Sequence, residues 1–222
     1  MSRIHRYDGA EVVVEFDLAR CIHTGDCSRD LPEVFNTKRS GRWVQPDGAP
    51  AAQIAHVCAD CPTGALRCID KASGQAMDSP PKYNTIQIIA DGPLYVHAKM
   101  RVNGKPEPGY RAAFCRCGTS RLMPYCDNSH RECNFRDDGK VTVPLPSPAG
   151  SQGPLSINAT PGGPLMIEGP FTLLDAAGQV VCESSKAALC RCAASKMKPY
   201  CDGSHTAIGF NQSQDINGTK QA

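Results

Sequence analysis

The chain is poor in aromatic residues and has no long apolar run. Phe, Trp and Tyr make up 6% of its 222 residues, with Trp43 the single tryptophan. That argues against a large aromatic-rich core, and no stretch reaches the roughly 20 apolar residues a membrane-crossing helix needs. A strong charge of one sign is also missing. The formal net charge is +2, and no Lys/Arg run is interleaved with aromatics. Nucleic acid and anionic membrane are therefore not expected as partners. The opening residues, Met1 to Gly9, lack the apolar stretch of a secretory leader. No Gly-rich dinucleotide loop, phosphate-binding loop or nucleophile elbow occurs, so no catalytic residue is assigned and an enzyme is not expected.

Glycine, proline and cysteine are abundant, at 20, 18 and 13 residues. This suits a turn-rich and strand-rich chain stiffened by prosthetic groups. Without a leader, and with cysteines spaced as ligands, a reducing cytoplasm is the expected compartment rather than one that forms disulfides. Two copies of one cassette stand out. The first runs Cys115-Arg-Cys117, eight residues, then Cys126-Asp-Asn-Ser-His130. The second runs Cys190-Arg-Cys192, eight residues, then Cys201-Asp-Gly-Ser-His205. Pro-Tyr precedes the third cysteine in both, as Pro124-Tyr125 and Pro199-Tyr200. Three thiols and one imidazole, repeated at fixed spacing, point to metal.

A Cys3His set satisfies tetrahedral zinc, but zinc sites usually part their paired cysteines by two to four residues. A C-x-C pair can aim two sulfurs at one iron, and a C-x3-H pair spans about one helical turn and can hold another. That is the layout of a 2Fe–2S cluster with mixed ligands. Cys201-Asp-Gly-Ser-His205, with Ser195 and Pro199 upstream, resembles the motif of the CDGSH iron–sulfur (NEET) family. The first copy departs from it at Asn128, where the family has glycine. Asparagine is the mildest replacement if that position needs positive φ. The resemblance implies that Cys115 and Cys117 hold one iron, with Cys126 and His130 on the other. Cys190 and Cys192, then Cys201 and His205, would repeat this. Asp127 and Asp202 stand where a helix should begin, and a capping role suits them.

A third site lies nearer the start. Cys21-Ile-His-Thr-Gly-Asp-Cys27 is followed far downstream by Cys61-Pro62-Thr-Gly-Ala-Leu66. The Cys-Pro piece is the ending of bacterial-type ferredoxin ligation. Residues 11–70 resemble the divergent single-cluster ferredoxin domains found with CDGSH motifs. A regular run would place its middle cysteine at 24, where this chain has Thr24. Cys21, Cys27 and Cys61 are therefore the ligands implied, for a 3Fe–4S cluster or a 4Fe–4S cluster with one further ligand. Cys58 and His23 are the candidates for that ligand. Cys68, Cys133 and Cys182 lack ligand spacing and read as packing residues. Trp43 is expected to cover the cluster or the core.

The fold class implied is α+β: a small ferredoxin-like domain over 1–70, a linker over 71–83, a β-rich tandem CDGSH domain over 84–211 and a flexible tail over 212–222. Residues 11–16 read as a strand, 50–60 as a helix and 65–69 as a strand. The later region repeats with an offset of about 75 residues by its cysteines. Asp91-Gly-Pro-Leu94 and Glu168-Gly-Pro-Phe171 serve as matching turns in that repeat. In single-motif CDGSH proteins two chains pair, so the tandem form implies pseudo-twofold pairing within one chain and a monomer. Together these features predict an iron–sulfur protein for electron transfer or cluster transfer, working with a redox partner or an apo-acceptor protein. The alternative is a redox or iron sensor that signals to a partner through its cluster state. Imidazole in place of a thiolate raises potential, so the all-sulfur first cluster should sit lower.

Overall fold

The structure is a computed structural model that describes residues 4–141 and 153–210. It divides into two compact units, Met1–Ser79 and Pro80–Ala222. The stretch expected as a tail, 212–222, lies outside the described residues.

The first unit is built on a three-stranded antiparallel sheet. Strands β1 (Ile4–Asp8), β2 (Val12–Asp17) and β3 (Leu66–Asp70) stand in that order, with β2 central. Val12, Val14 and Phe16 alternate along β2 into the core, as a half-buried strand requires. A short helix α1 (Asp26–Asp30) follows β2, and helix α2 (Ala51–Ala59) packs on β3. Ile54 and Cys58, four residues apart, are the buried residues of α2. Trp43 belongs to this core: its ring stands 4.9 Å from Phe16 in an edge-to-face contact and tilts against Phe35. Part of the expected linker folds back onto the sheet. Met77 donates to the Cys68 carbonyl, and Ala76 bridges to Ile69.

The second unit is a β-rich body whose two halves exchange strands. The first half supplies β4 (Thr85–Ile88), β5 (Leu94–His97), β6 (Met100–Val102), β7 (Lys105–Pro106), β8 (Arg111–Phe114) and helix α3 (Ser129–Glu132). The second supplies β9 (Leu155–Ala159), β10 (Leu165–Leu174), β11 (Val180–Leu189) and helix α4 (Ser204–Ala207). Sheet order is β7-β6-β9-β10-β4-β5-β8, with β11 also paired along β10. Two parallel pairings cross between the halves. Arg101 of β6 lies opposite Ser156 of β9, and Thr172 of β10 lies opposite Thr85 of β4. Each half thus lays a strand against the first strand of the other, which is the pseudo-twofold arrangement the doubled motif implies. Ile86, Ile88, Leu94 and Phe114 of one half pack in one core with Leu155, Leu165, Leu173 and Leu189 of the other, and all eight are fully buried.

One expected equivalence fails. Asp91-Gly-Pro-Leu94 forms the turn between β4 and β5, but Glu168-Gly-Pro-Phe171 is no turn. It lies inside β10, at an irregularity between Glu168 and Phe171. There Gly169 takes φ +107, and Pro170 has no N–H for the ladder. The break lets β10 pass from its β9 neighbour to its β4 neighbour. The turn that matches Asp91–Leu94 is instead the one ahead of β10, where Thr160 N–H reaches the Pro164 carbonyl as Ile89 N–H reaches that of Pro93.

Candidate metal centres

Both cassettes sit at the ends of paired strands. Cys115 follows β8 directly, and Cys190 follows β11. Backbone bonds then fold each Pro-Tyr-Cys segment back beside its strand. Cys115 N–H donates to Pro124 O and Cys126 N–H to Ala113 O; Cys190 N–H donates to Pro199 O and Cys201 N–H to Ala188 O. Isolated bridges join Phe114 to Tyr125 and Leu189 to Tyr200. Inside each loop a serine hydroxyl, Ser120 or Ser195, donates to the tyrosine carbonyl at 2.6 Å.

This folding brings the donors together in pairs. Cys115 and Cys117 sulfurs are 3.5 Å apart, and Cys126 Sγ is 3.4 Å from His130 Nδ1. The second site gives 3.7 Å for Cys190 and Cys192, and 3.3 Å for Cys201 Sγ and His205 Nδ1. Metal–sulfur and metal–nitrogen bonds of about 2.3 and 2.0 Å at a tetrahedral centre put two thiolates about 3.7 Å apart, and a thiolate and an imidazole about 3.5 Å apart. Each pair therefore has the spacing of two ligands on one metal. Among the described residues, no three His, Cys, Asp or Glu donors converge on a single metal-sized point.

The aspartates latch the loop to the helix. Asp127 accepts from Ser129 N–H and Ser129 Oγ with one oxygen, and from Arg121 N–H with the other. Asp202 accepts from Ser204 N–H and Lys196 N–H in the same way. Burial pushes the Asp127 carboxyl up, but the bonds from Ser129 and Arg121 outweigh it and hold it below its usual value. The Asp202 carboxyl is lowered by the bonds from Ser204 and Lys196. The residue after each aspartate is left-handed, with φ 77° at Asn128 and 86° at Gly203. Asparagine thus holds the backbone that glycine holds in the other copy.

Two residues between the cysteines went unassigned from sequence. Arg116 and Arg191 are buried in the C-x-C turns. Arg116 donates to the Gly92 and Ile89 carbonyls and pairs with Asp137 at 2.7 Å. Arg191 donates to the Gly163 and Thr160 carbonyls. Each lies over an aromatic ring, Phe135 or Phe210. Both cassettes read Cys-Arg-Cys, which was the available signal. These cations clamp the loops to the sheet and set positive charge beside thiolates.

Burial raises the thiols that stand alone and asks for a cation to compensate them. Cys126 is pushed up to about 11, chiefly by burial. In the neighbouring pair, the shared hydrogen bond holds the Cys117 thiol down and the Cys115 thiol up. Metal binding at such a pair releases the remaining protons. Cys133, expected as a packing residue, is exposed at the end of α3, with its thiol donating to the His130 carbonyl at 3.7 Å. Cys182 is half-buried, 3.9 Å from the Tyr200 hydroxyl.

In the first unit, Cys21, Cys27 and Cys61 lie in one another's field. Burial raises the Cys21 thiol, and the neighbouring Cys61 and Cys27 raise it further. Burial likewise leads the rise at Cys27, with Cys61 adding to it. Cys58, a candidate fourth ligand, goes elsewhere: it is 1% exposed in the core and hydrogen-bonds Cys68. The reason is the helix end. Cys58 shares the core-facing stripe with Ile54, whereas Cys61 lies beyond the last turn of α2 and off that face. His23 is exposed and left-handed at φ 53°, with its N–H on Cys21 Sγ and its Nδ1 3.7 Å from that sulfur. That is close to the spacing of a thiolate and an imidazole on one metal.

Comparison with known proteins agrees with both sites. The family described as iron-binding zinc finger, CDGSH type, matches residues 91–131 and again 162–206. The family described as divergent 4Fe-4S mono-cluster matches residues 7–71. The uncharacterized protein YjdI of Escherichia coli (strain K12) is 39% identical over 61 residues, covering 28% of this chain and 79% of that protein. YjdI of Escherichia coli O157:H7 aligns to the same extent. No solved structure matches. Among the described residues no helix is long and apolar enough to cross a membrane. The chain is an iron–sulfur protein that belongs to the CDGSH family in its two-motif form, with a divergent 4Fe–4S mono-cluster domain ahead of the motifs.

Proposed function

We propose that the chain carries two 2Fe–2S clusters, each held by three cysteines and one histidine, and one ferredoxin-type cluster held by Cys21, Cys27 and Cys61. Its work is to pass electrons, or whole clusters, between protein partners. The observation that carries this reading is the pairing of donors. Two donors at about 3.5 Å, twice per site, suit two irons bridged by sulfide; a single zinc needs all four donors around one point. When bound, the clusters supply one-electron chemistry. The chain's own residues supply the rest: Arg116 and Arg191 offset the thiolate charge, Asp127 and Asp202 hold the histidine-bearing turns, and the imidazoles give each site a group that protonation can detach. We assign no catalytic residue; the donor and the acceptor would be other proteins. Cysteines spaced as ligands suit a reducing cytoplasm.

The test is elemental analysis with Mössbauer spectroscopy on protein purified anaerobically after expression with ample iron. The expected sample is coloured, with acid-labile sulfide, two 2Fe–2S components and one 3Fe–4S or 4Fe–4S component. A colourless protein holding about two zinc ions per chain would overturn the reading.

A further inference from the structure

The two CDGSH sites share their ligands but not the neighbours of one ligand sulfur. In the first site, Cys117 Sγ lies 3.2 Å from Thr119 Oγ1. The matching position in the second site is Ala194, which has no side-chain donor. The backbone fixes the equivalence. Cys133 and Ile208 N–H groups reach the carbonyls of Ser129 and Ser204 at 3.0 and 3.2 Å, and those of Phe135 and Phe210 reach the carbonyls of His130 and His205 at 3.1 and 2.9 Å.

A ligand sulfur carries thiolate charge, so it accepts while the hydroxyl donates. Reduction adds negative charge to the cluster and its sulfurs. A donor on the sulfur therefore stabilises the reduced state more than the oxidised one and raises the potential. Other groups act on the same balance. Asp137 brings a negative charge near the first site, but its ion pair with Arg116 offsets that charge. Deeper burial of the first site opposes added charge, and the hydroxyl placed directly on a ligand sulfur favours it. The sites are also adjacent. A Cβ on Gly118 would stand 3.2 Å from the Arg191 carbonyl oxygen and 3.4 Å from Cys192 Cα. The Arg191 guanidinium interacts with Cys115 as well as with Cys190 and Cys192.

Building on the reading of two 2Fe–2S clusters, we propose that Thr119 holds the first at a higher potential than the second, so that an electron entering this unit settles at the Cys115–His130 site. Thr119 is a positioning residue: it touches a ligand, not the irons. The experiment is a potentiometric titration of the full chain, followed by EPR of the reduced 2Fe–2S centres. The wild type should show two separate 2Fe–2S waves. Thr119→Val should lower the higher wave alone, by about tenfold in the redox equilibrium, or about 59 mV for one electron. Thr119→Ser should restore it. Ala194→Thr should raise the lower wave, which tests the same physics in the other site without touching the first. Coincident waves in the wild type, or a Thr119→Val change that leaves both waves in place, would overturn the proposal. A chain with zinc and no 2Fe–2S signal would instead sink the cluster reading on which it rests.

Discussion

At the residue scale, the two ligand histidines sit in different surroundings. His130 is 9% exposed, and burial holds its imidazole below the ordinary value. His205 is only half-buried. A protonated imidazole cannot bind iron, so acid removes the ligand, and cluster loss should accelerate as pH falls through the imidazole range. A lowered histidine pKa moves that onset to lower pH. The Cys115–His130 site should therefore resist acid longer than the Cys190–His205 site. His205→Cys should slow acid loss at its own site and lower that site's potential, because a thiolate adds negative charge beside iron. The check is absorbance decay against pH for wild type, His130→Cys and His205→Cys; identical decay at every pH would remove both histidines from the coordination sphere. The sequence flagged Asn128 as the place where the copies differ. The backbone there is nearly the same in both. The working differences are the hydroxyl of Thr119 and the burial around His130. Spacing shows ligands well because chain geometry constrains it; it does not show which distant side chain will touch a sulfur.

At the scale of elements, the residue after each C-x-C pair is left-handed, Gly118 at φ 80° and Ala193 at φ 66°. Glycine takes this shape freely, while for a residue with a Cβ the cost is roughly 1–2 kcal/mol. Ala193→Gly should relieve that cost, less the entropy glycine adds to the unfolded chain, for a net gain of about 0.5–1 kcal/mol. Gly118→Ala should go the other way by about 1–2 kcal/mol from φ alone. The Cβ contacts with the Arg191 carbonyl and the Phe210 ring, both at 3.2 Å, would add to it. Denaturant unfolding of the cluster-loaded chain tests both; a destabilised Ala193→Gly would show that the methyl group packs usefully. Regular elements were the easiest to read. Strand β2, helix α2 and strand β3 fall within a residue of the positions that alternation and helical spacing give. Strand β1 was missed because Ile4–Asp8 is mostly exposed and carries no alternating apolar face. The Glu168–Phe171 segment was misread because glycine and proline mark a bulge as readily as a turn; only the pairing partners decide between the two.

At the scale of the whole molecule, the exchanged strands make one folding unit of the two motifs. Strand β10 is held by β9 and β11 from its own half and by β4 from the other, and β6 lies on β9 across the same divide. The fully buried side chains come from both halves of one core. Neither half alone can complete that sheet: without its partner, β4 loses the β10 edge and β9 loses the β6 edge. Exposed strand edges and apolar surface invite pairing with another chain. The first unit has its own sheet and its own core, and the chain divides between Ser79 and Pro80. The segment 80–222 expressed alone should therefore fold, keep two 2Fe–2S centres and sediment as a single chain. A half carrying only one motif should either fail to fold or pair with its copy to rebuild the missing edges. Analytical ultracentrifugation with visible absorbance tests both. If the 80–222 segment sediments only as a dimer, the exchanged pairings form between chains rather than within one, and the electron step between adjacent sites would have to cross a subunit boundary.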